Sequence, residues 1–391
     1  MKLRYETAGE SHGESLVAIL TGLPAGVPVD LEAINRDLWR RQQGYGRGGR
    51  MKIETDRAHV VSGIRHSHTI GSPIAVLLEN KDWKNWTESL PVENFPEADS
   101  KRRKVTRPRP GHADLAGCLK YDFHDARYVL ERASARETTA RVVVGALCKA
   151  YLAQFGIEVL SHVIAVGPER LQRPATWEEI KALSQKNEVL LGCVDPETEQ
   201  RMKAAVDVAY KTGDTVGGVF EVVAHQVPPG LGSHITYDSR LDGRLAQAIV
   251  SIQAVKGVEI GFAAEGAEAY GSKVQDTIHY DRPERRFFRG ANRAGGLEGG
   301  ITNGEDLLVR GLLKPISTLR RPLESVDLET REPAAAAYER SDVCVVPAAG
   351  VIGEAMVAFV LAQAMVEKFG GDSLREARRN FDGYLNQVRE F

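Results

Sequence analysis

The chain has 391 residues, and its 51 Lys and Arg residues nearly balance its 53 Asp and Glu residues, so the formal net charge is −2. A hydrophobic share of 42% and a charged share of 27% are ordinary for a globular protein and exclude a wholly disordered chain. The near-neutral balance also argues against a general nucleic-acid binder, which would be basic overall.

The sequence predicts neither a membrane span nor a secreted protein. Strongly apolar runs such as 356–366 are shorter than the ~18 residues that cross a bilayer. The N-terminus becomes charged at once and has no apolar signal region. Scattered cysteines without metal-ligand spacing are typical of reduced thiols in a cytoplasmic protein with no metal site. The cysteines are Cys118, Cys148, Cys193 and Cys344.

Strands and helices are predicted throughout the chain, without a repeat or a linker. Two strands, 2–8 and 15–21, flank a polar turn, and Asp30 is the expected cap of the next helix. The further predictions are a helix over 140–155, a strand over 157–166, two short helices opened by Thr176 and by Asp195-Pro196, a strand near 219–227, a helix around Leu245 and Ile249, a strand over 258–262, an apolar helix over 351–369 and a terminal helix opened by Ser373. We therefore expect one compact α/β or α+β domain over residues 1–391, with long polar excursions near 80–110 and 290–304.

A glycine-rich stretch at 44–49 matches the pattern G-x-G-x-x-G without its structural context. A dinucleotide-binding loop lies between a preceding strand and a following helix. Here a helical pattern precedes the glycines and the strand-like segment 51–55 follows them. The sequence therefore does not predict a Rossmann site.

The turn at 9–13 matches G-x-S-x-G, the nucleophile elbow of serine hydrolases, with Ser11 as the candidate nucleophile. That elbow joins a strand to a helix in the middle of a parallel sheet. Only one strand fits upstream of Ser11, and the residues that follow are typical of a strand. A serine hydrolase is therefore kept as the alternative function.

Basic residues are concentrated in a few stretches, each of which alone is typical of a solvated face. Two prolines stiffen the arginine-containing segment 107–112. In the segment 44–50, glycines leave backbone N–H groups exposed beside arginines. Arginine side chains and exposed N–H groups together suit phosphate or carboxylate ligands. We therefore predict a small polyanionic ligand, with nucleic-acid binding through 101–109 as a further alternative. The basic stretches are Arg40, Arg41, Arg47 and Arg50; Lys101 to Lys104, Arg107 and Arg109; Arg132, Arg136 and Arg141; and Arg320, Arg321 and Arg340.

His12 and His112 both lie beside glycines in polar loops, where a histidine is more often structural than catalytic. Their neighbours, Ser11 and the arginine loop, favour acid chemistry on an anionic leaving group. Asp342 is typical of a loop cap, and Lys314 to Thr318 offer groups that fit a cofactor phosphate.

These segments together resemble the chorismate synthase family along the whole chain. The signatures are AGESHG at 8–13 running into GLPAG at 22–26, ERASARET at 131–138, and RSDVC at 340–344 continuing to GEAM at 353–356. Weaker matches occur at 44–50, 107–112, 253–257, 295–304 and 314–318.

The resemblance implies an α+β fold, a β-α-β sandwich of antiparallel sheets flanked by helices, assembled as a homotetramer. It implies the 1,4-anti elimination of phosphate from 5-enolpyruvylshikimate 3-phosphate, which gives chorismate for aromatic amino-acid biosynthesis. Reduced FMN is the implied cofactor, with NADPH as a possible reductant. In the family scheme the flavin lends electron density to the breaking C–O bond and accepts the C6 hydrogen.

The resemblance also implies roles for individual residues. His12 would donate a proton near the departing phosphate, His112 would protonate or polarise the flavin, and Asp342 would drive proton removal at its N5. Ser11 and Ser134 would act as relays. Flavin binding falls to Arg132, Ala133, Ser134, Gln253, Ala254, Gly299, Lys314, Pro315, Ile316, Ser317, Thr318 and Arg340. Arg41 and Arg47 match nicotinamide or phosphate contacts, and the candidates for the substrate anions are Arg47, Arg50, Arg109 and Arg136.

Overall fold

The computed structural model of the protein describes residues 2–48, 55–93, 103–339 and 342–391. The helices in these ranges are α1 (Leu31–Gln42), α2 (Asp114–Tyr121), α3 (Arg127–Ala133), α4 (Thr138–Ala153), α5 (Trp177–Ser184), α6 (Pro196–Thr212), α7 (Leu241–Val250), α8 (Ala263–Ala267), α9 (Gly271–Val274), α10 (Val346–Phe369) and α11 (Leu374–Glu390), with 3-10 turns at Trp83–Asn85 and Ala135–Glu137. The strands are β1 (Arg4–Ala8), β2 (Ser15–Thr21), β3 (His59–Ser62), β4 (Ile64–Arg65), β5 (His68–Thr69), β6 (Ile74–Glu79), β7 (Glu158–Val166), β8 (Glu169–Arg170), β9 (Gly218–His225), β10 (Val255–Ile260), β11 (Ile278–Asp281), β12 (Arg286–Arg289), β13 (Leu297–Glu298), β14 (Ile301–Thr302), β15 (Leu307–Leu313), β16 (Glu324–Val326) and β17 (Pro333–Ala335).

Two antiparallel sheets form the outer layers of the molecule. One has four strands in the order β1-β2-β6-β3, and the other has five in the order β10-β15-β9-β7-β8. Every neighbouring pair in both sheets is antiparallel. The predicted first hairpin is confirmed, since Ala8 pairs with Val17 and residues 9–13 lie in the connection between β1 and β2.

Helices α4 and α10 lie between the two sheets. Phe359 of α10 packs edge-on against Tyr5 of β1, with ring centroids 4.7 Å apart. On its other side, Gly353 faces Phe220 of β9 so closely that a Cβ added there would lie 2.5 Å from the ring. Because α10 touches both sheets, the layers are β-α-β, and the predicted fold is confirmed.

Helices α4 and α10 cross at a glycine that brings their backbones close together. A Cβ built on Gly145 of α4 would lie 2.2 Å from both Cα and Cβ of Ala355. Only glycine therefore allows the two backbones to approach this closely. The crossing brings the first turn of α4 and Ile352 of α10 to one end of the helical layer, where the candidate site lies.

The predicted helix caps are confirmed, but one helix length was wrong. The side chains of Asp30, Thr176, Asp195 and Ser373 each accept a backbone N–H of the helix that follows. Helix α6, predicted to be short, has 17 residues. It continues because no glycine or proline interrupts it before Gly213, which ends it in the left-handed conformation.

Helix α10 begins at Val346, five residues before the predicted start, and has 24 residues. Contrary to the sequence expectation, it is long and apolar enough to cross a membrane by length and composition. However, 94% of its most apolar window is buried inside the fold. That burial is typical of a core helix, and it accounts for an apolar surface on every side of α10.

Candidate active site

A cavity of about 1090 Å³ opens at the end of the helical layer. Segments that are distant in sequence form its wall, from the β1–β2 turn to the first turns of α10. Its polar lining includes Ser11, His12, Arg41, Arg47, Arg103, Arg109, His112, Arg127, Ser134, Arg136, Gln253, Lys256, Lys314, Ser317, Thr318 and Asp342. Ala133, Ala254 and Ile316 also line it.

Most of the residues predicted for the site therefore meet in one cavity, but three of the described ones do not. Arg50 and Arg340 lie outside the described residues. Arg132 is instead held at the β1–β2 hairpin, where it donates to the carbonyl oxygens of Thr7 and Gly9 at 2.7 and 3.2 Å. Gly299 lies in the β13–β14 turn near His234. Of the described residues, neither Arg132, Gly299 nor Pro315 is part of the cavity wall.

The cavity wall carries an excess of positive charge. Eight described cationic side chains line it, whereas three carboxylates do, those of Asp82, Glu339 and Asp342. The cations are Arg41, Arg47, Arg103, Arg109, Arg127, Arg136, Lys256 and Lys314. A concave surface with this excess of one sign attracts ligands that carry several negative charges.

Two of the predicted anion-binding arginines already have carboxylate partners. The Arg136 guanidinium donates to both oxygens of Asp56, at 2.7 and 2.8 Å, and to Asn80 at 2.9 Å. The Arg109 guanidinium donates to Asp114 at 2.8 Å and to Thr318 at 2.9 Å. Both arginines are buried. The sequence did not predict these pairs, which hold the two side chains rigidly at the cavity wall.

Arg47 and Asp342, both predicted site residues, pair with each other. Their closest atoms, Arg47 Nη1 and Asp342 Oδ2, are 2.9 Å apart, and the Gly48 N–H donates to Asp342 Oδ1 at 2.5 Å. The loop reaches this position through Gly46, whose φ of +84° and contact with Val206 exclude a side chain. The glycine-rich loop therefore brings a cation and a carboxylate together, and a helix precedes it as predicted.

Arg41 is buried with part of its hydrogen-bonding capacity unused. Its Nε donates to Thr138 Oγ1 at 3.0 Å and its Nη2 to the Ala135 carbonyl at 2.8 Å. Its Nη1 is buried without a hydrogen-bond partner among the described residues. Burial lowers the pKa of this guanidinium, an effect that Asp56 partly offsets. An anion beside Arg41 would stabilise its charge.

His12 is held from two sides. Its backbone N–H donates to Glu131 Oε2 at 2.7 Å, and its ring Nδ1 lies 2.9 Å from Glu131 Oε1. The ring stacks on Trp86 with centroids 4.0 Å apart. Burial raises the pKa of Glu131, but the hydrogen bonds and charge of His12 outweigh it and lower the pKa. The carboxylate is thus an ionised acceptor beneath the imidazole.

His112 has a similar partner in Asp114. Nδ1 of His112 lies 2.5 Å from Asp114 Oδ1, and the Asp114 carboxyl is fully buried at the start of α2. Burial raises the pKa of Asp114, but the bonds from His112 and Arg109 bring that pKa far below its usual range. Both predicted histidines are therefore in contact with an ionised carboxylate.

Ser11 and Ser134 are in contact, as proposed relays must be. The Ser11 hydroxyl donates to Ser134 Oγ at 3.0 Å. Ser11 lies in the turn of an antiparallel hairpin, and its backbone N–H donates to the Glu131 carbonyl at 3.0 Å. A nucleophile elbow needs a strand-to-helix turn, so the geometry around Ser11 does not fit a serine hydrolase.

The segment that begins β10 is strained beside the cavity. Ala254 has a φ of +69°, which is uncommon for a residue with a side chain, and a β-bulge follows between Val255 and Gly257. Gln253 donates to Glu137 at 3.3 Å, while its Oε1 is buried without a partner among the described residues. Backbone strain and an unsatisfied acceptor at one cavity wall indicate a ligand contact.

The predicted phosphate-binding segment 314–318 closes another wall. Lys314 Nζ donates to Ser317 Oγ at 2.9 Å, and the Ser317 hydroxyl donates to the Gly111 carbonyl at 2.8 Å. Burial, with a smaller effect from Lys256, lowers the pKa of Lys314. Two lysines that repel each other across a cavity favour an anion between them.

Sequence reasoning missed several residues that line the cavity or hold the side chains that line it. Trp86 falls in the stretch 80–110, which we predicted to be a polar excursion, although Trp86 is buried and Arg103 stacks on it at 4.1 Å. Asp114 and Glu131 had no predicted role. The only available signal for Asp114 is its position two residues after His112. The spacing of Glu131 from His12 gave no signal because the contact is long-range.

The chain is similar to known proteins along its whole length. The family model for chorismate synthase matches residues 3–366. A chorismate synthase of Solibacter usitatus (strain Ellin6076) is 75% identical over 389 residues, covering 100% of both chains. One of Aquifex aeolicus (strain VF5) is 50% identical, covering 100% of this chain and 99% of the relative. A crystal structure of a chorismate synthase superimposes with a TM-score of 0.80 at 41% identity, covering 100% of this chain and 99% of that one.

The chain belongs to the chorismate synthase family. The resemblance drawn from the sequence is thereby confirmed, as are the predicted fold and the prediction of a carbon–oxygen lyase with chorismate synthase function. The serine hydrolase alternative has no support from these relatives.

Proposed function

We propose that the cavity eliminates phosphate from 5-enolpyruvylshikimate 3-phosphate to give chorismate, the precursor of the aromatic amino acids. The observation that carries this proposal is a strongly cationic cavity that holds two histidines, each in contact with an ionised carboxylate. The substrate has one phosphate and two carboxylates, so it needs several fixed cations. Negative charge grows on the departing phosphate, and preorganised cations stabilise it as it develops.

Reduced FMN is the proposed cofactor, and the described residues fit it. The volume of about 1090 Å³ is at the upper end of ordinary ligand pockets and suits two ligands together. The unsatisfied acceptor of Gln253 and the unsatisfied donor of Arg41 match a polar heterocycle with an anionic tail. Gln253, Ala254, Ala133, Ser134 and the segment 314–318 would hold it. When bound, reduced FMN supplies electron density to the breaking C–O bond.

The side chains of the chain divide the remaining work. The doubly protonated form of His12 donates the proton on Nε2 to the departing phosphate and keeps the hydrogen on Nδ1, which faces Glu131. Arg47, with Arg41 and the lysines, holds the anionic groups of the ligands. Ser11 and Ser134 pass protons along their hydrogen bond. His112 and Asp342 hold and accept protons on the cofactor side of the cavity.

One assay tests the proposal. Under anaerobic conditions with dithionite-reduced FMN, the protein should release phosphate from the shikimate ester and form chorismate. Omitting the flavin should abolish both products. Phosphate release that proceeds equally well without flavin would refute the flavin-dependent elimination. A phosphonate probe should leave Ser11 unlabelled, whereas labelling would favour a hydrolase.

The finer features of the proposal follow the family resemblance. We propose that residues 1–391 form one domain, that the protein works in the cytoplasm as a homotetramer, and that the reduced flavin is supplied from outside. If NADPH is instead the direct reductant, Arg41 and Arg47 are the proposed contacts for it. Mass measurement in solution tests the tetramer, and NADPH oxidation by the purified protein with FMN tests the source of reduction.

A further inference from the structure

The two cavity histidines share one arrangement of hydrogen bonds. In each pair, one carboxylate oxygen accepts a backbone N–H and the other oxygen contacts the ring Nδ1. For Glu131 these are the N–H and Nδ1 of His12, at 2.7 and 2.9 Å, and Nδ1 also lies 3.1 Å from the oxygen that accepts the N–H. For Asp114 they are the N–H of Arg109, at 3.0 Å, and Nδ1 of His112, at 2.5 Å.

An ionised carboxylate can only accept hydrogen bonds, so the ring nitrogen that faces it carries a hydrogen. Arg109 Nη2 also lies 3.0 Å from Nδ1 of His112, but it donates to Asp114 Oδ1 at 3.1 Å, and two donors do not bond each other. The exchangeable position of each imidazole is then Nε2, which faces no carboxylate among the described residues and, in His112, lies 3.3 Å from Arg109 Nη2.

We propose that Glu131 and Asp114 are positioning residues that lock His12 and His112 as Nδ1–H tautomers, so that proton transfer occurs at Nε2. Neither carboxyl has to exchange a proton with substrate for this purpose. Both are almost fully buried, with exposures of 2% and 0%, which fixes the orientation of each ring. The consequence for turnover rests on the proposed function, whereas the tautomer assignment does not.

The amide isosteres make a sharp test, because the fixed donors dictate how each amide must lie. In the wild type, Asp114 Oδ2 accepts the backbone N–H and the Nε–H of Arg109, at 3.0 and 2.8 Å. In Asp114→Asn, only the amide oxygen can accept these two hydrogen bonds, so it takes the position of Oδ2. The amide NH2 must then point at Nδ1 of His112. In Glu131→Gln, the backbone N–H of His12 holds the amide oxygen at the position of Oε2, so the amide NH2 takes the position of Oε1, the oxygen nearer to Nδ1. Each substitution should therefore favour the reversed tautomer of its own histidine.

Nitrogen NMR of the full chain labelled with 15N-histidine reads the tautomers directly. His12 and His112 are assigned from the spectra of the His12→Gln and His112→Gln proteins. In the wild type, both neutral rings should show a protonated Nδ1. Glu131→Gln should move the proton to Nε2 in His12 alone, and Asp114→Asn should do so in His112 alone. Neutral wild-type rings that carry their hydrogen on Nε2 and none on Nδ1 would overturn the proposal even if a variant fails to fold.

Turnover with reduced FMN is the second measurement. Glu131→Gln and Asp114→Asn should each lower it by about 10²-fold or more, the scale of a lost general acid or base. The matched control is Glu221→Gln. Glu221 also joins a histidine and an arginine, with His162 Nε2 at 3.0 Å and Arg310 Nε at 2.6 Å, but its histidine, unlike His12 and His112, lies outside the cavity wall.

The control should stay within a few-fold of wild-type turnover. An equal loss in Glu221→Gln would show that disturbing any buried histidine–carboxylate pair is sufficient, and the positioning role would be refuted. A wild-type protein that shows the expected tautomers but releases no phosphate would instead refute the proposed function and leave the tautomer assignment standing.

Discussion

Among single residues, His12 and His112 are the proposed proton donors and acceptors of the reaction. We expect His12→Ala and His112→Ala each to lower turnover by about 10²-fold or more, because a positioned acid or base contributes that much to proton transfer. Steady-state phosphate release with reduced FMN measures the effect. His279, which is exposed on β11, provides the control, and His279→Ala should leave turnover unchanged. Near-wild-type rates in the two cavity variants would make those histidines structural.

Arg47 gives a prediction about ligand binding. Arg47→Ala removes a cation from the cavity wall and leaves Asp342 without its 2.9 Å ion pair, so both changes weaken anion binding. The Michaelis constant for the shikimate ester should rise strongly. Arg36→Ala, which removes an exposed arginine of α1, is the matched control and should leave the constant unchanged. An unchanged constant in Arg47→Ala would remove Arg47 from the proposed ligand contacts.

For single residues, the sequence predicted which side chains lie together in the cavity, but it did not predict the partners that hold them in place. His12, His112, Ser11, Ser134 and Arg47 were predicted from local context and from family signatures. Their partners come from distant segments, as with Glu131 beneath His12, and no spacing rule connects residues 119 positions apart. Pairing also changes what a residue is available to bind: Arg136, predicted to bind a substrate anion, already donates to Asp56.

Among the secondary-structure elements, α4 and α10 make the contact whose packing we test. Gly145→Ala would place a methyl group 2.2 Å from the backbone of Ala355, so the helices would have to separate. Overpacking of this kind costs about 1–3 kcal/mol or more. Urea unfolding at neutral pH measures the change in free energy of unfolding.

The matched control is the same substitution at Gly383 of α11, where an added Cβ meets nothing within 4 Å. Gly383→Ala should stabilise the protein by roughly 0.5–1 kcal/mol, because alanine favours a helix interior. Equal effects at the two glycines would contradict the tight helix crossing.

Elements were predictable where the signal is local. Caps such as Asp30 and Thr176 mark helix starts because a side-chain oxygen satisfies a backbone N–H one turn away. The pairing of strands was not predictable, since β10, β15, β9 and β7 are brought together from distant parts of the chain. The start of α10 was placed too late because its first residues, around Pro347, lack the strongly apolar pattern that follows.

A buried ion cluster links the layers of the whole molecule. Glu354 of α10 accepts from Arg40 of α1, at 2.8 and 2.6 Å, from Lys149 of α4, and from Ser161 of β7 at 2.7 Å. Burial raises the pKa of Glu354, but Arg40 and Lys149 outweigh it and lower the pKa from 4.5 to about 2. The cluster therefore remains charged in the folded protein at neutral pH.

This cluster predicts an acid-dependent part of stability. Because the folded protein holds the Glu354 carboxylate at a lower pKa than the unfolded chain does, the contribution is complete above pH 4.5 and is lost as the pH falls toward 2. The loss should be on the order of 3 kcal/mol. Unfolding free energies of the wild type and Glu354→Gln should therefore converge as the pH falls from 6 to 3.

Glu179 is the control for this prediction, because its pKa is also lowered to about 2, mainly by Arg173, but on the surface. Water and salt screen that pair, so Glu179→Gln should change the pH dependence far less. A gap between wild type and Glu354→Gln that stays constant with pH would contradict the role of the cluster.

The wall of the cavity includes both Ser11 and Ile352, near opposite ends of the polypeptide. During synthesis on the ribosome, a growing chain therefore lacks a cofactor pocket until its last helices have emerged. Flavin and substrate would bind only finished molecules, and their binding energy would then add to the stability of those molecules alone. Nascent and truncated chains would gain no such protection, which leaves them as the forms most open to cellular proteases.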